Sequence, residues 1–247
     1  MKKLVAYITS CYPEKNFSID LAFALGENGV DSIELGIPFS DPVADGPLIE
    51  LANHKALQLG FKFKDLVEIS TQIAPKVDTL WMGYFNSFYQ QNIEQIIQKA
   101  HSIGVNGFII PDLPHEESAK YQSLFDLNNV TNITFVAPTD PQERIKEIVQ
   151  NSKKFIYMVA YTGITGSGKS EDLQPFLASI KQYTDTPVYV GFGVNQKTAK
   201  AKVQGADGVI VGSAFIDILL KEELSYSKKI ELCSSLAKNI KDQINTI

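Results

Sequence analysis

One pattern constrains this chain more than any other. A short run of β-branched and aromatic residues is followed by a polar loop and then a helix-like stretch, and this repeats along the whole sequence. The apolar runs are LVAYIT from Leu4, SIELGI from Ser32, TLWMGY from Thr79, GFII from Gly107, ITFVA from Ile133, FIYMVAY from Phe155, VYVGF from Val188 and GVIVG from Gly208. Most start about 20 to 30 residues apart, the size of one βα unit. The gap from Ser32 to Thr79 is longer and leaves room for an extra helix beyond a Pro/Asp/Gly-rich loop. Residues 16–29 predict a helix with Phe17, Leu21, Ala24 and Leu25 on one face. Residues 92–104 predict another, with Asn92 as N-cap, Ile93, Ile96, Ile97 and Ala100 inward and Gly104 as the stop. Further helices are expected from near His115, Pro141, Ser170 and Asn195, with a closing helix over residues 225–247. Alternation of strand and helix implies a parallel sheet. Eight units in 247 residues match a (β/α)8 TIM barrel, one domain over residues 1–247. A doubly wound open sheet would normally stop at about five to seven strands.

Charge and composition exclude several classes. With 23 Lys+Arg against 28 Asp+Glu the net charge is −5, so the clustered basic footprint of a nucleic-acid binder is not expected. No apolar run approaches the ~20 residues that span a bilayer, and the first apolar stretch is too short for a secretory signal. Cys11 and Cys233 cannot build a disulfide framework, which makes a reduced, cytoplasmic protein the expectation. His54, His101 and His115 lack metal-ligand spacing, so no metal site is expected. Cys11 ends the first strand with no base near it in sequence and reads as a packed thiol.

Glu34 is the first candidate for chemistry. Side chains alternate along a strand, so with Ile33 and Leu35 turned to the helices Glu34 points into the barrel. Catalytic groups of this architecture sit at the C-terminal ends of strands, and partial burial raises a carboxyl toward the range an acid/base needs. The alternative is a glutamate paired inside the barrel. The following loop, PFSDPVADGP over residues 38–47, carries Asp41 and Asp45. Either alone reads as an Asx-turn or helix cap, but with Glu34 the loop supplies a second carboxylate above the barrel mouth.

Glycines cluster at three consecutive strand ends: Thr162-Gly163-Ile164-Thr165-Gly166, Gly191-Phe192-Gly193 and Gly212-Ser213. Barrels frequently bind phosphate there, where backbone N–H groups converge at a short helix, here SAFIDILLK from Ser213. Residues 163–170, GITGSGKS, also satisfy the P-loop pattern. They fall in the sixth of eight units, and no strand ending in a magnesium-binding Asp follows, so nucleotide binding is not expected. Tyr84, Tyr157 and Phe192 fall at strand ends, either as core or as walls for a flat aromatic ligand.

Residues 34–47, ELGIPFSDPVADGP, closely resemble the signature of the tryptophan synthase alpha subunit family, a phosphate-binding (β/α)8 barrel. The resemblance continues through Ile110-Pro111-Asp112-Leu113-Pro114, Tyr157, the strand-6 loop, Val190-Gly-Phe-Gly-Val194 and Gly212-Ser-Ala214, covering nearly the whole chain. It implies a lyase that splits indole-3-glycerol phosphate into indole and glyceraldehyde 3-phosphate. In the implied roles Glu34 is the general acid/base, and Asp45 binds the indole N–H and stabilises the positive ring. The amides of Gly166, Gly193, Gly212 and Ser213 hold the phosphate. Tyr7, Tyr84, Tyr157 and Phe192 line the pocket, and Thr165 contacts Asp45. No cofactor is implied in this chain. The implied partner is a pyridoxal-phosphate beta subunit, in a heterotetramer of two alpha and two beta chains.

Three features depart from the family. The chain opens at its first strand, without the usual extra helix under the barrel. It has Tyr161 where a basic residue is common, and the stretch Ser167-Gly-Lys-Ser170 is its own. A different sugar-phosphate or indole barrel and a regulatory barrel that only binds a phosphate ester are the competing readings. Binding needs only the glycine clusters, whereas a lyase needs Glu34 and Asp45 together.

Overall fold

The computed structural model describes residues 1–159 and 173–246. Its strands are β1 (Lys3–Thr9), β2 (Ser32–Gly36), β3 (Asp78–Met82), β4 (Gly107–Ile109), β5 (Thr131–Asn132), β6 (Thr134–Val136), β7 (Ile156–Val159), β8 (Val188–Gly191) and β9 (Gly208–Val211). They pair in parallel in the order β5-β4-β3-β2-β1-β9-β8-β7-β6. The two ends of this sheet, β5 and β6, are separated by Ile133 alone, so the sheet returns to its own starting strand as a barrel. The fifth apolar run is thus one strand in two pieces, beginning two residues earlier than its sequence suggests. Ile133 donates its N–H to Phe108 O at 2.8 Å and turns its side chain into the barrel interior.

The helices are α1 (Lys15–Glu27), α2 (Pro47–Gln58), α3 (Phe63–Ile73), α4 (Phe85–Tyr89), α5 (Ile93–Ile103), α6 (His115–Ser118) and α7 (Gln122–Leu127). They continue with α8 (Gln142–Gln150), α9 (Gln174–Lys181), α10 (Ala199–Lys202), α11 (Ser213–Leu219) and α12 (Tyr226–Asn245). Local chemistry sets their ends. The Asn92 side chain accepts from Gln95 N–H at 3.3 Å, and Gly104 stops α5 with a φ of 89° that only glycine adopts freely. On α1 the buried alanine is Ala22, while the expected Ala24 is half-buried.

Strands covered on both faces read as continuous apolar runs. Outward residues such as Leu4, Ile33, Leu35 and Trp81 pack under the helices. The interior holds Val5, Leu80, Ile109, Ile133, Phe155, Tyr157, Tyr189 and Ile210. Such large rings fit because small residues face them: a Cβ on Gly191 would lie 2.2 Å from Tyr157 Cε1. At the N-terminal end of the strands the interior is polar. Asp78 accepts from Ser32 Oγ at 2.5 Å, Asn106 Nδ2 at 2.6 Å and Lys154 Nζ at 2.9 Å. This cluster forms the barrel floor and places the open end at the C-terminal side.

Candidate active site

A cavity of about 420 Å³ opens at the C-terminal ends of the strands. Tyr7, Glu34, Asp45, Tyr157, Phe192, Gly193, Gly212 and Ser213 all line it, so residues from β1, β2, β7 and the loops after β2, β8 and β9 converge on it. Met82, Ile49, Ile210 and Asp217 complete much of the wall. Among the described residues no Lys or Arg lines it.

Glu34 occupies the middle of β2, pairing in register with Tyr7 on β1 and Leu80 on β3. Ile33 and Leu35 take the helix-facing side, which leaves Glu34 inside the barrel at 2% exposure. Its Oε1 is buried and has no hydrogen-bond partner among the described residues. Burial, with the Asp45 charge adding to it, pushes the Glu34 carboxyl up to about 8. Among the described residues no lysine pairs with Glu34.

Asp45 lies at the end of the loop before α2. The helix N-cap is Gly46, with no side-chain cap, so Asp45 is not a capping aspartate. Its Oδ2 instead accepts from Asn53 Nδ2 at 3.1 Å. Burial raises Asp45 to about 6, against the opposing hydrogen bonds from Asn53 and Tyr84. Asp41 is exposed and bonded to neighbouring Ser40, an ordinary loop role.

Tyr84 needs correction as a pocket wall. It is buried beneath the loop rather than lining the cavity, stacks on Phe39 at 5.1 Å, and its hydroxyl accepts from Ala44 N–H at 2.9 Å. It therefore fixes the loop that carries Asp45. Phe192 and Gly193 adopt consecutive left-handed conformations, φ 70° and 67°, at the cavity edge. For Phe192, 41% exposed and edge-on to Tyr157 at 6.2 Å, this is a strained backbone of the sort found where function requires it.

Thr165, Gly166 and the P-loop-like stretch 163–170 lie outside the described residues. Among the described residues no His/Cys/Asp/Glu group could hold a metal. Cys11 and Cys233 are buried free thiols, each pushed up to about 12 by burial. A second cavity of about 340 Å³ lies beside β5 and β6 between α6 and α8. Its charged groups are spent in ion pairs, Arg144 with Glu116 and Lys153 with Asp126 at 2.6 Å. Sequence reading misses Asn53 and Asp217. Asn53 carries a usable signal, a polar residue amid Ala52 and Ala56 on the buried stripe of α2.

Residues 1–245 match the family model for the tryptophan synthase alpha chain. The chain is 54% identical over 247 residues to a tryptophan synthase alpha chain of Wolinella succinogenes, covering 100% of this chain and 97% of that one. The solved tryptophan synthase subunit alpha from Campylobacter jejuni superimposes with a TM-score of 0.86 at 33% identity, covering 95% of each chain. That from Legionella pneumophila gives 0.89 at 29% identity, over 100% of this chain and 94% of the other. A full-length sequence match and a barrel of the same shape, with its carboxylates at the mouth, leave one conclusion: the chain belongs to the tryptophan synthase alpha chain family.

Proposed function

We propose that Glu34 is the general acid/base, and Asp45 the charge-stabilising anion, of the carbon–carbon cleavage this family performs. The chain is a lyase subunit that cleaves indole-3-glycerol phosphate in tryptophan biosynthesis. The observation that carries the residue roles is a buried glutamate with an unpartnered oxygen, in the same cavity as a second carboxylate.

The chemistry requires this pair. The bond to be broken joins indole C3 to the glycerol chain, and an indolyl carbanion is a poor leaving group. Protonating C3 first converts it to a good one. Glu34, raised to about 8, is protonated near neutral pH and supplies that proton. Positive charge then develops at the ring nitrogen, where Asp45, at about 6 and so ionised, stabilises it. As the carbon–carbon bond breaks, its electron pair returns to the ring and restores indole. The glycerol hydroxyl carbon becomes the aldehyde, and its O–H proton passes to the Glu34 carboxylate, which ends as it began. Two neighbouring carboxyls pushed to opposite sides of neutrality thus divide the acid and anion roles.

From the family resemblance the phosphate rests on backbone N–H groups of Gly193, Gly212 and Ser213, all of which line the described cavity. From the family resemblance Gly166 joins this cradle and Thr165 contacts Asp45. Tyr7, Tyr157 and Phe192 supply aromatic walls for the indole.

Alpha chains of this family pair with a beta subunit, and the family needs no cofactor of its own. The fuller reading is a heterotetramer of two alpha and two beta chains, with pyridoxal phosphate held by the beta chain. No helix among the described residues is long and apolar enough to cross a membrane, and the proposed compartment is the cytoplasm. Indole release by purified chain tests both parts. Glu34→Gln is expected to lose turnover by roughly 10²-fold or more while still binding the phosphate ester; near-normal turnover sinks the acid assignment. Adding a beta subunit is expected to raise wild-type turnover about tenfold or more. No complex at micromolar concentration, with full activity from the chain alone, sinks the partner reading.

A further inference from the structure

Asn53 sits where local physics favours an apolar residue. It lies on α2 beside Ala52, only 1% exposed, and the asparagine side chain is a poor helix former. Its Oδ1 is buried with no hydrogen-bond partner among the described residues, a further cost for burying an amide. The hydrogen bond its side chain makes there is the one from Nδ2 to Asp45 Oδ2, at 3.1 Å. Asp45 itself is on a loop between Pro42 and Pro47, which leaves its side chain free to turn unless something fixed holds it. Tyr84 anchors the preceding residue through Ala44 N–H at 2.9 Å. The Tyr84 hydroxyl also hydrogen-bonds the Asp45 carboxylate, and Asn53 holds it from a helix whose neighbours are packed.

We infer that Asn53 is a positioning residue for the cleavage, holding one oxygen of Asp45 so that the carboxylate stays turned toward the cavity. This rests on the anion role proposed for Asp45. Small misplacements of a charge-stabilising group are expensive, because the transition state is bound only in one geometry. A neutral N–H donor also favours the ionised carboxylate over the neutral acid. Among the described residues, the titratable groups facing Asp45 are Glu34 from β2, Tyr7 from β1, Tyr157 from β7, Tyr84 after β3 and Glu50 from α2. A substitution at Asn53 leaves all of them in place.

The test is the pH dependence of kcat and KM for indole release by the complex with its beta subunit, for Asn53→Leu, Asn53→Asp and Asp45→Asn side by side. Asn53→Leu is expected to lower kcat about tenfold near pH 6 with little change in KM, and to shift the acid limb to higher pH. Asn53→Asp, isosteric and retained as the comparison if the leucine variant is unstable, is expected to shift that limb further, because two carboxyls at this distance share a proton. An acid limb unmoved in both, while Asp45→Asn loses turnover, overturns the positioning role and leaves the Asp45 assignment standing. Full turnover by Asp45→Asn overturns that assignment, and the inference with it.

Discussion

Asp78 opens β3 at the floor of the barrel, and Glu34 lies near the mouth on the adjacent strand β2, opposite Leu80, two residues beyond Asp78. Both face the interior. At Asp78, burial works to raise the carboxyl, but Lys154, Ser32 and Asn106 outweigh it and hold the group below the usual aspartate range. Glu34 Oε1 has no such partner among the described residues, and burial carries the carboxyl up to about 8. The difference is in what neighbouring strands supply. The floor gathers donors from the starts of β2, β4 and β7; the mouth offers Glu34 another carboxylate and aromatic rings. A carboxylate with satisfied lone pairs stabilises the fold, and one left unsatisfied is available to move a proton.

Exchanging amide for carboxyl at each end separates these roles. Asp45→Asn at the mouth is expected to cost about 10²-fold in indole formation with little loss of stability. If instead it lowers the melting temperature and spares turnover, Asp45 is a loop-stabilising residue. Asp78→Asn at the floor is expected to do the reverse. Turnover per folded molecule stays within about twofold, while stability falls by only about 2 kcal/mol as Lys154 loses its counter-charge, because the pair is part-exposed and screened by water. Denaturant unfolding measures it, and an unchanged midpoint would show the floor cluster to be energetically idle.

A third effect is the most diagnostic of burial. A glutamate at about 8 folded and near 4.5 unfolded binds an extra proton in the folded state between those values. Stability from this group is therefore full below the unfolded value and declines as pH rises through about 8. Glu34→Gln removes the penalty, so its melting temperature relative to wild type is expected to rise from pH 5 to pH 8 by about 5 °C or more. A difference that does not change with pH would mean that Glu34 is already solvated.

Much of this was legible in the sequence because parallel strands buried on both faces announce themselves. All eight apolar runs are strands, and Asn92 and Gly104 mark the helix they bound. Glu34 was legible from alternation alone. The break at Ile133 was not, because an apolar run carries no sign of where its pairing partners change. The place of Tyr84 at a strand end is visible in sequence, whereas the amide it holds at Ala44 is 40 residues away. The floor cluster was hidden for the same reason, drawing on Ser32, Asp78, Asn106 and Lys154. Gly191, in the same sequence cluster as Gly193, makes room in the barrel for Tyr157, while Gly193 and Gly212 face the cavity.

The division of labour between Glu34 and Asp45 is tested most directly by the pH dependence of kcat/KM for indole release. Asp45 must be ionised, so activity falls as pH drops through about 6, and Glu34 must be protonated, so activity falls as pH rises through about 8. The basic limb is the decisive one, because the substrate's phosphate also ionises at around pH 6 and contributes to the acid side. A bell centred near pH 7, with its basic limb near 8, is the expected result. A rate that holds level or climbs from pH 7 to pH 10 would contradict a protonated Glu34 as the acid that begins the cleavage.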